Sequence, residues 1–112
     1  MKLRKKQSKF AKKVGLLILF AYDQGFELTF GDAWSRSGYK LYDKNKYPYR
    51  PHKRGSFHYK RLAIDLNLFK DGKYLRSTED HRPLGEFWES IGGTWGGRFK
   101  NKDGNHYSWE ET

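Results

Sequence analysis

Four side chains of this 112-residue chain are of types that carry out metal-assisted chemistry: His58, Asp65, Asp103 and His106. They fall in two short segments, Ser56-Phe-His-Tyr-Lys-Arg-Leu-Ala-Ile-Asp65 and Asp103-Gly-Asn-His106. Two imidazoles and one carboxylate suffice to hold a catalytic zinc, which keeps its fourth position for water. The remaining acid, Asp103, precedes the second histidine by three residues, where it can reach that water as a general base. Taken separately, each half has a plainer reading. His58 and Asp65 are then a surface histidine and a strand aspartate, and Asp103 caps an Asp-Gly-Asn turn. Taken together they match a ligand set with a spare base, and the chemistry such a set would carry out is hydrolysis.

Elements must bring these segments together. The run 62–69 alternates, with Leu62, Ile64, Leu66 and Leu68 on one face and Ala63, Asp65 and Asn67 on the other, which predicts a strand. Its leucine face packs on a core and its Asp65 face opens outward. His58 lies just before this strand, and a final strand over 105–109 carries His106. Phe10, Val14, Leu17, Ile18 and Ala21 recur at helical spacing, predicting a helix from about Ser8 to Asp23 with Ser8 as its N-cap and Gly25 at its end. A strand follows over 26–30, then a turn-rich passage over 31–38. The stretch 39–55, with Pro48 and Pro51, reads as a long exposed loop, a common place for function. Asp71-Gly72 makes a tight turn into a hairpin partner at 73–75. Residues 83–91 read as a short helix with Pro83 at its start and Gly92-Gly93 closing it. The expected fold class is α+β: a single small domain, an N-terminal helix plus a short antiparallel sheet carrying a zinc site.

Composition agrees with one domain. Four Trp, eight Tyr and eight Phe provide large buried area despite a modest apolar fraction. The net charge of +10 is concentrated: residues 1–13 hold seven of the 23 bases and no acid, leaving 16 bases against 13 acids elsewhere. Residues 1–13 are therefore read as a basic arm leading into the first helix, and 14–112 as the catalytic domain. Such an arm suits a polyanion (nucleic acid, an anionic lipid surface or an acidic wall polymer), or simply keeps the protein soluble. Without cysteine there is no disulfide, thiolate metal site or thiol nucleophile. The apolar run 14–21 lacks a cleavage site and is too short to span a bilayer, so it reads as a buried helix in a chain made in the cytoplasm.

The blocks Ser56-x-His58-x-x-x-x-Ala63-x-Asp65-Leu66, Trp95-Gly-Gly-Arg-Phe and Asp103-x-x-His106 resemble the zinc peptidases of bacterial cell walls. That family holds D-alanyl-D-alanine carboxypeptidases and the L-alanyl-D-glutamate endopeptidases of bacteriophage endolysins. The similarity runs from about Phe26 to Tyr107 and is strongest in the motif blocks. It implies one zinc ion held by His58, Asp65 and His106, Asp103 as catalytic base, and Ser56 as a supporting residue. It also implies a peptidoglycan substrate, met after release from the cytoplasm. L-Ala-D-Glu cleavage is favoured over D-Ala-D-Ala cleavage.

Two positions depart from the family. Arg61 stands where many relatives have glycine, although phage-type relatives often carry a basic residue there. The family arginine that polarises the substrate carbonyl or binds its carboxylate is displaced: Ser35 occupies its place and Arg36 follows one residue later. Arg36 takes that role, or Arg50 or Arg54 does, or Arg36 is simply exposed. His52 and His81 read as surface histidines, and Trp34, Trp88 and Trp95 as core or pocket wall. The basic arm would reach anionic wall polymers; no obligate protein partner is expected and nucleic acid is disfavoured. The competing readings are a non-enzymatic nucleic-acid-binding module using the arm and the aromatic loop, and a metal-free structural relative within a phage particle.

Overall fold

The computed structural model describes residues 2–32 and 60–109. The first helix, α1, spans Leu3–Asp23 and buries Phe10, Val14, Leu17 and Ala21, a stripe at helical spacing. It begins well before Ser8. Lys2 is its N-cap and contributes no side-chain bond, while Ser8 lies inside the helix and accepts from Arg4 Nη1 at 3.0 Å. Lys, Arg, Leu and Ala are all strong helix formers, and no residue in 3–8 interrupts them. The basic segment is thus the first turns of α1. Gly25, at φ 86, ends the helix: its N–H bonds Tyr22 O and the Phe26 N–H bonds Ala21 O, the paired closure that a left-handed residue permits.

β1 (Glu27–Phe30), β2 (Ala63–Lys70), β3 (Lys73–Leu75), β4 (Thr94–Trp95) and β5 (His106–Ser108) form one antiparallel sheet. β2 is its spine. β1 pairs along one side of it, while β5 and β3 share the other, β5 against its first residues and β3 against its last. β4 lies outside β5. As the alternation predicts, Leu62, Ile64, Leu66 and Leu68 are buried against the helices. The α+β class, the 71–72 turn and the final strand are all as expected.

The second helix, α2, spans Thr78–Ser90 and differs from the expectation at its start. Pro83 is inside the helix. The start is set by Ser77, whose hydroxyl accepts from Asp80 N at 3.0 Å while the Asp80 carboxylate accepts from Ser77 N at 3.3 Å. This reciprocal cap satisfies two otherwise open amides, and the helix runs on through Pro83 in its second turn. His81, Leu84, Gly85 and Trp88 form the buried face. Trp88 packs edge-on to Phe10 and Tyr107 at 5.9 and 6.2 Å, joining both helices to the sheet.

Candidate metal centre

Asp65 and His106 are direct cross-strand partners in the β2–β5 ladder. Opposed residues of an antiparallel pair project to the same face with their Cβ atoms close together. The register alone therefore sets the two side chains side by side, and His106 Nδ1 lies 3.6 Å from Asp65 Oδ1. Asp65 is also pinned from the β1 side. Its carbonyl accepts from Gly31 N at 2.8 Å and its N–H bonds Asp32 O at 2.7 Å, so the pairing runs on past β1. A Cβ on Gly31 would stand 3.1 Å from Asp65 Cβ.

Asp103 comes from the turn that leads into β5. The His106 N–H bonds Asp103 O at 3.1 Å, closing the turn, and the Asp103 N–H bonds Gly96 O at 2.9 Å. The Trp95 indole donates to Gly104 O at 2.7 Å from a fully buried position. Gly96 and Gly104 permit the close approach: a Cβ on Gly96 would overlap Asp103 O, and one on Gly104 would stand 2.6 Å from Thr78 Cα. Arg98 then ties the 3₁₀ turn Gly96–Arg98 to α2 through both oxygens of Glu89, at 3.0 and 3.1 Å. The Phe99 ring flanks His106, centroids 5.3 Å apart.

The outcome is a cluster in which one ligand atom from each of Asp65, Asp103 and His106 lies within 4.8 Å of the others. Two ligands of a tetrahedral zinc at about 2.1 Å stand about 3.4 Å apart, close to the separation of His106 Nδ1 and Asp65 Oδ1. Carboxylate oxygen and imidazole nitrogen are donors that zinc takes, so these residues fit the ion. Burial grades across the cluster: His106 is buried, Asp65 half-buried and Asp103 exposed. Such a gradient suits two inner ligands and an acid at the mouth that meets water and substrate.

A model of the D-alanyl-D-alanine carboxypeptidase family matches residues 50–109, more than half of the chain. The chain belongs to this peptidase family. The matched span contains Ser56, His58, Asp65, Asp103 and His106, whereas Arg36 precedes it. No curated protein matches the chain. Arg61 has φ 56, the left-handed backbone that glycine adopts without strain. His58, Ser56 and Arg36 lie outside the described residues, as do Trp34, Arg50, His52, Arg54 and the whole of 39–55, expected to be a loop.

Two predictions about neighbouring residues divide. Trp88 and Trp95 are core, fully buried. His81 is not a surface histidine: it is 2 % exposed, with Nδ1 2.7 Å from the Tyr107 hydroxyl. It occupies the buried stripe of α2 with Leu84 and Trp88, so it enters the core with them. Desolvation depresses its pKa to about 4, opposed weakly by Asp80, and burial pushes the Tyr107 phenol up, so both are neutral at ordinary pH. Tyr107 adjoins His106 in β5, and the His81 contact helps fix that strand. The helical spacing 81–84–88 was the available signal for it.

Proposed function

We propose that the chain is a zinc metallopeptidase that hydrolyses a peptide bond in the stem peptide of bacterial peptidoglycan, in the manner of a phage-type wall-lysing enzyme. His58, Asp65 and His106 hold the ion, with Ser56 in support. The bound ion would lower the pKa of a water toward neutrality and polarise the scissile carbonyl. Asp103 takes the proton of that water and returns it to the leaving amine. Arg36 assists at the carbonyl or at a substrate carboxylate. The L-Ala-D-Glu bond is favoured over D-Ala-D-Ala.

The observation that carries this reading is the convergence of Asp65, Asp103 and His106 within 4.8 Å, inside the span that the family model matches. The purified protein should contain one zinc and release stem-peptide fragments from peptidoglycan, with a chelator blocking the release. His106→Ala should lose the metal. Asp103→Asn should keep it and lose turnover by on the order of 100- to 10,000-fold. A fully active Asp103→Asn protein, or hydrolysis undiminished after zinc removal, would overturn the assignment.

A further inference from the structure

The outward line of α1 is Lys5, Lys9, Lys12, Leu16, Leu19 and Asp23, each separated from the next by four or three residues and all exposed. That spacing keeps the six side chains within one narrow stripe, opposite the buried one. Its first half is cationic, and among the described residues the side chains of Lys5, Lys9 and Lys12 have no hydrogen-bond or ion-pair partner. Its second half is apolar, with Leu16 at 43 % and Leu19 at 66 % exposure. The outer face of α2 is built in the opposite way, its Arg82 paired with Glu79. A face that served solubility alone would intersperse both signs and keep leucine off it.

We infer that this stripe of α1 is a docking surface for an anionic lipid bilayer, with the helix lying in the plane of the headgroups. The three unpaired lysines meet anionic headgroups, and Leu16 and Leu19 enter the boundary between headgroups and acyl chains. The attachment so inferred is peripheral; no helix among the described residues is long and apolar enough to cross a membrane. The leucines decide between occupants. A soluble polyanion such as a wall polymer or nucleic acid would engage the lysines and leave Leu16 and Leu19 in water. The inference is independent of the peptidase reading.

The test is co-sedimentation of the full chain with vesicles of mixed phosphatidylglycerol and phosphatidylcholine, against vesicles of phosphatidylcholine alone. Binding should require the anionic lipid and weaken as salt is raised. Lys5→Gln/Lys9→Gln/Lys12→Gln should lower partitioning by on the order of 100-fold. Leu16→Ser/Leu19→Ser should lower it by roughly 10-fold or more with the charge intact. Both variants alter exposed side chains, and unchanged thermal melting will show that they remain folded. Equal binding to both vesicle types overturns the inference. So does indifference to the leucine substitutions, or binding to polyphosphate without binding to vesicles. A chain that dimerises through Leu16 and Leu19 and ignores vesicles overturns it as well.

Discussion

On the hairpin side of β2, Asp71 and Gly72 turn the chain in open space, with nothing within 4 Å of where a Cβ on Gly72 would stand. On the β5 side the same addition has nowhere to go. A Cβ on Gly96 would overlap the carbonyl of Asp103 and stand 2.8 Å from His106 Cβ, and one on Gly85 or Gly97 would overlap the Trp95 ring. Both regions are short antiparallel pairings on one spine strand, yet only the second is packed backbone against ring. A hairpin needs only to turn. The cluster of Asp65, Asp103 and His106 needs side chains from two strands and a turn brought within 4.8 Å of one another, and close packing provides that.

The contrast breaks most severely if its central ring is removed. Trp95 is fully buried, donates to Gly104 O, and lies under the guanidinium groups of Arg98 and Arg82 at 5.2 and 5.7 Å. Trp95→Ala should cost about 4 kcal/mol in chemical denaturation and abolish zinc retention. Tyr74→Ala, at a 52 % exposed ring in β3, should cost well under half of that and leave the metal in place. Equal costs at the two positions would remove the distinction between the halves.

A finer test adds one carbon to each region. Gly96→Ala forces the 96–98 turn away from Asp103, so it should lose about 3 kcal/mol and most of the hydrolytic activity. Gly72→Ala meets no atom, but its φ of 77 is one that alanine adopts with strain, so about 1 kcal/mol is expected with activity intact. Thermal melts and zinc content of the two proteins make the comparison. A Gly96→Ala protein that melts like its Gly72→Ala counterpart would show that the overlap is relieved without disturbing the site.

How much of this could be read in the sequence differs between the same two regions. The hairpin is local: the alternation of 62–69 and the Asp71-Gly72 pair define it within a few residues. Asp65, Asp103 and His106 are legible as candidates by type and spacing, and the structure brings these three together. What lies in no local pattern is the register that opposes Asp65 to His106, because it depends on strands about forty residues apart. The misplaced start of α2 is different in kind. Ser77 and Asp80 spell out a capping box, and that box rather than Pro83 sets the start. His81 reads as surface because it precedes Pro83 in a polar stretch, yet its place on the apolar stripe of α2 brings it inside.

That buried imidazole gives the site-bearing half a pH dependence. Folding holds His81 near 4, against 6.5 when unfolded, so between those values the unfolded chain binds a proton that the folded one does not. Its contribution is full above about pH 6.5, declines as the pH falls toward 4, and is level below that. The decline amounts to at most roughly 3 kcal/mol. Urea midpoints at neutral pH and near pH 4.5 should differ more for the native chain than for His81→Gln, which keeps a polar partner for Tyr107 and cannot titrate. Equal differences would mean that carboxylates alone carry the acid sensitivity.

The smallest effect concerns two backbone positions that both lie in the left-handed region, Arg61 at φ 56 and Asp71 at φ 52. Aspartate tolerates this conformation through local hydrogen bonds, so Asp71→Gly should change stability by no more than a few tenths of a kcal/mol. Arginine is not among the residue types that favour this conformation, and Arg61 stands just before β2, on the site-bearing side. Arg61→Gly relieves the strain and should raise stability by up to about 1 kcal/mol in urea titrations. If it lowers stability instead, the Arg61 side chain holds the approach to β2 by more than its backbone strain opposes it. If hydrolysis falls while stability rises, the arginine is kept for the substrate. The two readouts together separate a packing role from a binding one.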